Sequence, residues 1–423
     1  MSIQENLNNL IKPHGGKLIK TLKYGAERDE CIKEAKSLPK IDISSREFGD
    51  LVMMGIGGFS PLNGFMKKED WFSVCKNFTL ADGTFWPIPI TMSVSEEEAK
   101  KLKRGQKVAL KYNKDINDIS GTIEIDQVYE MSKKDKEMEC KDIFTTTDSD
   151  HPGVKKVMEQ KPFNVAGKVT TLSEGEFPIK YKGIYMTPEE SRLNFAKKGW
   201  KTIAALQLRN PMHRSHEFLA KIAVEVCDGV FIHSLVGNLK PGDIPAEVRV
   251  KCIDALVDKY FVKKNVLQGG YPLDMRYGGP REALLHATFR QNYGCTHMII
   301  GRDHAGVGDY YGPFDAQKIF DKIPYNADPK KRLLTQPMKI DWTFYCHKCD
   351  GMASLRTCPH TKKDRVIVSG TMVRKMLSEG KTLPDHFGRA ESLKILADYY
   401  QHLDKSKKVT IKLQKFATGD AMK

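Results

Sequence analysis

No stretch of the 423 residues approaches the ~18–20 consecutive apolar positions that a membrane-spanning helix requires. The first ten residues lack the charged-then-apolar pattern of a secretory signal, so a cytoplasmic protein is expected. No run of about five or six consecutive basic residues occurs, which argues against a basic tail or arm. Two nucleotide signatures are missing. Without G-x-x-x-x-G-K-[ST] the chain is not a P-loop NTPase or kinase, and without G-x-G-x-x-G after a strand dinucleotide binding is unsupported. There is no convincing internal repeat and no low-complexity segment. The nine cysteines, in a chain with no secretion signal, are expected as thiols or metal ligands rather than disulfides.

What is present is the profile of a folded protein, with 40% hydrophobic and 29% charged residues. The length suits two or three domains. The net charge of +15 suggests, at first sight, a nucleic-acid or membrane partner. Its distribution points elsewhere. Basic minus acidic residues total 0 over residues 1–165, +5 over 166–330 and +10 over 331–423. Positive charge spread through folded sequence makes a site for small polyanions a serious competitor.

Residues 1–165 read as a β-rich domain, with strand-like runs at 107–112 (KVALKY) and 121–129 (GTIEIDQVY). Helices are expected at 30–38 and 95–104, and a loop at 145–153. Residues 166–335 alternate short apolar runs with helix-length segments. Strands are expected at 202–208, 229–236, 265–268 and 297–301, with helices at 213–227, 246–259 and 280–292. Such alternation means βαβ units and a parallel sheet, which binds ligands at the carboxyl ends of its strands. Residues 336–423 form a small third domain, with a strand at 365–369 and helices from 371 and near 390–402.

The sharpest strand-to-helix junction is 207–217 (QLRNPMHRSHE). Asn210 suits a helix N-cap and Pro211 the first helical position. The helix start then offers free N–H groups and a positive dipole end, a ready anion site. His213 and His216, at i and i+3, share one face. Arg209 and Arg214 add fixed positive charge. The spacing is not that of the H-E-x-x-H zinc proteases, and polyphosphate binding fits better. A second junction follows at 298–306 (MIIGRDHAG). There Gly301 and Gly306 allow close backbone approach, Arg302 and His304 are donors, and Asp303 can accept from a ribose or an adenine amine. A third, at 368–374 (VSGTMVR), puts Arg374 one turn into a helix.

The cysteines at 346, 349 and 358 with His360 give C-x2-C-x8-C-x-H. Three thiolates and an imidazole complete the closed tetrahedral shell of structural Zn2+, with ligands Cys346, Cys349, Cys358 and His360. His347 is a weaker fourth ligand, because it sits inside the tight C-x2-C turn.

At these residues the chain resembles the ATP sulfurylase (sulfate adenylyltransferase) family, along nearly its whole length. The family's Q-x-R-N-P-x-H-x-x-H stands at 207–216 and its G-R-D-H-A-G at 301–306. Family patterns also appear at 13–16 (PHGG), 57–66 (GGFSPLNGFM), 242–249 (GDIPAEVR) and 275–283 (MRYGGPREA). The resemblance implies an α/β protein. Its parts would be a PUA-like N-terminal domain (1–165), a Rossmann-like nucleotidyltransferase domain (166–335) and a small C-terminal α/β domain with the zinc site (336–423). It further implies the stand-alone prokaryotic type, without a fused adenylylsulfate kinase. Sulfate and ATP with Mg2+ would give adenylyl sulfate and pyrophosphate, reversibly.

By that resemblance the catalytic residues are Arg209, Asn210, His213 and His216. Gln207 and Arg209 hold sulfate, with Ala305 presenting a backbone N–H. Asn210 touches the α-phosphate, and His213 and His216 take the β,γ-phosphates. Gly301, Arg302, Asp303 and His304 cradle the adenosine, and Gln207, Leu208 and Arg209 border the ATP site, Leu208 through its backbone alone. Family members form homo-oligomers, and a dimer is expected here, with no nucleic-acid or membrane partner. Two alternatives carry other predictions. Another H-x-x-H-class adenylyltransferase would turn over without sulfate. A zinc-containing nucleic-acid-binding protein would show exposed aromatics interleaved with basic residues, a pattern absent from the sequence.

Overall fold

A computed structural model describes residues 2–239, 243–367, 370–381, 383 and 386–403. The N-terminal part is built on a six-stranded mixed sheet. Its path runs Lys40–Asp42, Lys107–Lys111, Gly121–Glu130, Phe163–Thr171, Gly64–Phe65, and Ser93–Val94 also pairs with Phe163–Thr171. The two expected strands are present, at 107–111 and 121–130. The expected helices are Gly25–Ala35 and Glu96–Lys101, while Pro152–Met158 begins inside the expected loop. Phe163–Thr171 pairs with Gly121–Glu130 along nine positions, so the N-terminal sheet runs to Thr171, past the expected boundary at 165. The helix Ser45–Gly55 starts at a capping box of Ser44 and Glu47. It packs Leu51 and Val52 into the core beside this sheet.

From Ile203 onward the expected alternation holds. Five parallel strands lie in the order Gln336–Lys339, His297–Ile300, Ile203–Leu208, Gly229–Leu235, Val266–Tyr271. Helices Arg214–Val226, Ala246–Tyr260 and Gly279–Tyr293 follow three of them. Strands buried on both faces need no polar alternation, and Gly229–Leu235 is buried at every position. Numbered by sequence, the strand order is that of the doubly wound dinucleotide folds, with its reversal between Ile203–Leu208 and His297–Ile300. Gln336–Lys339 completes this sheet, so the expected start of the third domain at 336 falls on a strand of the second.

The remaining residues form a three-stranded antiparallel sheet, Gly351–Ser354, Thr343–Cys346 and Arg365–Ile367, and the helices Gly370–Ser378 and Ala390–His402. Val368 and Ser369, at the end of the expected strand, and Gly242 lie outside the described residues. One hydrophobic core crosses the seam between the first two parts, joining Leu51, Phe59 and Trp86 to Tyr271, Leu285 and Phe289. Polar ties reinforce it. Arg276 pairs with Asp50, both almost fully buried. Arg281 donates to the carbonyls of Val74, Cys75 and Pro87. Asn292 donates to those of Gly58 and Ser60, and accepts the N–H of His14. The patterns at 13–16, 57–66 and 275–283 thus meet at this seam.

Candidate active site

A cavity opens where the strand order reverses. Gln207, Leu208, Arg209, Asn210, His213 and His216 line it from one junction, and Gly301, Arg302, Asp303, His304 and Ala305 from the other. Every junction residue to which the family resemblance assigns a catalytic or binding role therefore lines one site, while Pro211, Arg214 and Gly306 do not line it. The topology explains the convergence, because the two strands are adjacent and parallel and both loops leave from their carboxyl ends.

The helix begins later than expected. Its N-cap is His213, not Asn210, and Arg214 is the first helical residue. Arg209 and Asn210 form the bend that carries the chain off the strand, and Pro211 follows without regular structure. No side chain caps this helix start, so its first N–H groups remain available at the cavity. The imidazoles of His213 and His216 stack, with centroids 3.9 Å apart. Among the described residues, the Nδ1 atoms of both are buried without a hydrogen-bond partner. Burial, with Arg302 nearby, pushes His216 down to about 4. Burial, His216 and Arg302 push His213 well below its ordinary value. Both rings are thus neutral in the free protein at pH 7.

Arg209 is held between two groups. Its Nη2 donates to the Gly306 carbonyl at 2.7 Å, and its guanidinium lies 5.2 Å from the Tyr277 ring centroid. Burial opposes its charge, but Asp243, Tyr277 and Asp303 keep its pKa above the ordinary value. Gln207 donates to the Tyr271 hydroxyl at 3.0 Å. In the facing loop, Asp303 and Ala305 are both left-handed, at φ 52° and 55°. Such conformations cost energy in residues other than glycine and cluster at binding sites. Of the two glycines, Gly306 sits against the Asp303 carboxylate, since a Cβ would lie 2.0 Å from Asp303 Oδ1 and that side chain would have to move. Gly301 would meet only Leu219, at 3.6 Å. Burial raises Asp303 and lowers Arg302 to about 10.

The third part supplies residues the sequence reading had not assigned to the site. Asp341, Trp342, Thr343 and Thr371 line the cavity with Arg374. The Arg302 guanidinium lies 4.5 Å from the Trp342 ring centroid. Arg374 sits in the Gly370–Ser378 helix, as expected, and forms a buried ion pair with Asp243. The residues around Trp342 carry no motif. Only their position, directly after the sheet's last strand, would have marked them.

The cysteine cluster is assembled as the spacing predicted. One ligand atom each from Cys346, Cys349, Cys358 and His360 all lie within 4.8 Å of one another. Sγ of Cys349 and Sγ of Cys358 are 3.7 Å apart, and His360 Nδ1 is 3.4, 3.2 and 3.7 Å from the three sulfurs. A tetrahedral ion with bonds of ~2.3 Å has edges of about 3.8 Å, so the donor set fits zinc. Cys346 ends the strand that begins at Thr343, so the cluster stands one short strand from Trp342 and Thr343 at the cavity.

A doubly wound sheet, a cavity at its switch point and paired histidines at an uncapped helix start define an α/β nucleotidyltransferase. Comparison with known proteins narrows the class. A family model described as ATP-sulfurylase matches residues 182–399, and one described as a PUA-like domain matches residues 11–174. The sulfate adenylyltransferase of Desulfovibrio desulfuricans is 60% identical over 98% of this chain and 100% of its own length. That of Desulfatibacillum aliphaticivorans is 61% identical over 98% and 100%. A solved structure titled as a hexameric APS kinase from Thiobacillus denitrificans superposes with a TM-score of 0.70 at 22% identity, over 92% of this chain and 68% of that one. It shares the fold. The chain belongs to the ATP-sulfurylase family, with a PUA-like N-terminal domain.

Proposed function

We propose that this protein is a sulfate adenylyltransferase, converting ATP and sulfate to adenylyl sulfate and pyrophosphate and able to run in reverse. The observation that carries this reading is the convergence of Gln207–Arg209–His213–His216 with Arg302–Asp303–His304–Ala305 in one cavity. Sulfate is a poor nucleophile and both substrates are anions. Catalysis therefore comes from positioning and charge neutralisation, with sulfate attacking the α-phosphate directly. Gln207, Arg209 and the Ala305 N–H hold sulfate, and Asn210 meets the α-phosphate. His213, His216 and the free N–H groups at the helix start between them receive the β,γ-phosphates. Arg302 and its neighbours hold the adenosine. Mg2+ enters with ATP or pyrophosphate. Zinc at the Cys3His cluster is structural, and the residues it braces are those around Trp342.

The direct test runs both ways. Pyrophosphate release must depend on sulfate, and ATP must form from adenylyl sulfate and pyrophosphate. Release that proceeds equally without sulfate would instead select another adenylyltransferase. We further infer a cytoplasmic homodimer that binds neither nucleic acid nor membrane, which light scattering and nucleic-acid titration check. Among the described residues no helix is long and apolar enough to cross a membrane.

A further inference from the structure

The Gly279–Tyr293 helix is buried along nearly its whole length, yet it carries Glu282, His286 and Arg290. Their spacing of four puts them on one face, and all three are wholly buried. Buried charge of this kind needs partners. His286 Nδ1 lies 3.1 Å from Nε2 of His304, which lines the cavity. On its other side, His286 Nε2 faces Glu282 Oε1 at 3.5 Å, within ion-pair range but outside hydrogen-bond geometry. Glu282 accepts the backbone N–H groups of Arg276 and Gly278, each at 2.9 Å. Burial pushes the Glu282 carboxyl up, but His286 and these two donors outweigh it and keep it ionised.

An ionised carboxylate attracts a proton and repels a lone pair, so the imidazole nitrogen facing it carries the proton. His286 is then protonated on Nε2, and its Nδ1 is a bare lone pair. That lone pair accepts from His304 Nε2–H, which leaves Nδ1 of a neutral His304 bare as well. A second proton is opposed by burial, by His286 and by the charges of Arg290 and Arg209. The other groups beside His286 are the Tyr271 ring and His233, which burial keeps neutral.

We propose that Glu282 and His286 are positioning residues that hold His304 as the neutral, Nε2-protonated tautomer, so that its Nδ1 accepts a hydrogen bond from the nucleoside of the bound nucleotide. This rests on the reading of the cavity as an ATP site. A bare nitrogen repels a phosphate oxygen and welcomes a ribose hydroxyl or an adenine amine. The Glu282–His286–His304 chain thereby separates the nucleoside end of the cavity from its phosphate end.

The first test needs no turnover. In 15N-histidine-labelled protein, the His304 signals are those lost in His304→Asn. NMR should show neutral His304 protonated on Nε2 between about pH 6 and 8. A cationic ring, or one protonated on Nδ1, overturns the proposal. The second test measures binding of ATP, 2′-deoxyATP, 3′-deoxyATP and purine riboside triphosphate to the wild type and to Glu282→Gln. One analogue should bind the wild type about tenfold more weakly than ATP, and its identity names the donor. Glu282→Gln should erase most of that difference while keeping its affinity for sulfate. Equal binding of all four nucleotides by the wild type, or an unchanged difference in Glu282→Gln, overturns the proposal. If ATP binds but no adenylyl transfer occurs, the proposed function fails while the His304 tautomer still stands.

Discussion

At the scale of single residues, the site depends on groups whose charge is set by burial. His213 and His216 are neutral donors stacked at a helix start, and they can gain charge only when an anion arrives. Replacing His213 with Ala should lower turnover by on the order of 10²–10³-fold, with an unchanged circular dichroism spectrum. Near-wild-type turnover would remove His213 from the site. The same burial makes stability depend on pH. His216 and His286 titrate at about 4 in the folded protein and near ~6.5 when unfolded. Between these values the unfolded chain binds more protons, so folding stability falls as pH drops from about 6.5 towards 4. Thermal melts of the ligand-free protein should show this decline, and His216→Asn should make it shallower. An identical slope in that variant would mean His216 takes no part. The histidine types and their spacing were legible in the sequence. Their neutrality was not, because it follows from what the fold packs around them.

At the scale of elements, strand and helix limits follow from periodicity and end signals, and the expected elements of the parallel sheet are present within a few residues. The helix start was misplaced. Asn210 and Pro211 are good start residues, yet the chain must first turn away from the 203–208 strand, so the helix begins only at Arg214. The cysteine cluster shows how one element holds another. Its residues lie at the end of, and after, the Thr343–Cys346 strand, which directly follows Trp342 at the cavity wall. Cys358→Ser should reduce bound metal well below about one zinc per chain and lower the melting temperature. It should also weaken ATP binding by loosening Trp342. Metal analysis of the wild type showing no zinc would sink the assignment.

At the scale of the whole molecule, the N-terminal sheet and the parallel sheet share one core and a buried ion pair, Asp50 with Arg276. Asp50→Ala leaves Arg276 buried and unpaired, and should cost about 3–5 kcal/mol in denaturant unfolding. A loss below about 1 kcal/mol would show that water reaches Arg276. The +15 charge also reads differently at this scale. Arg209, Arg302 and Arg374 line one cavity, which suits small anions. The sequence by itself determined the α/β class, the alternation of strands and helices, the two cavity-lining segments and the Cys3His cluster, because short-range periodicity and fixed spacings encode all of these. Only the tertiary structure decided that the two segments face each other, that Trp342 lines the cavity beside Arg302, and that His304 is backed by His286 and Glu282. Those contacts join residues distant in the chain, and strand order and burial, rather than local spacing, bring them together.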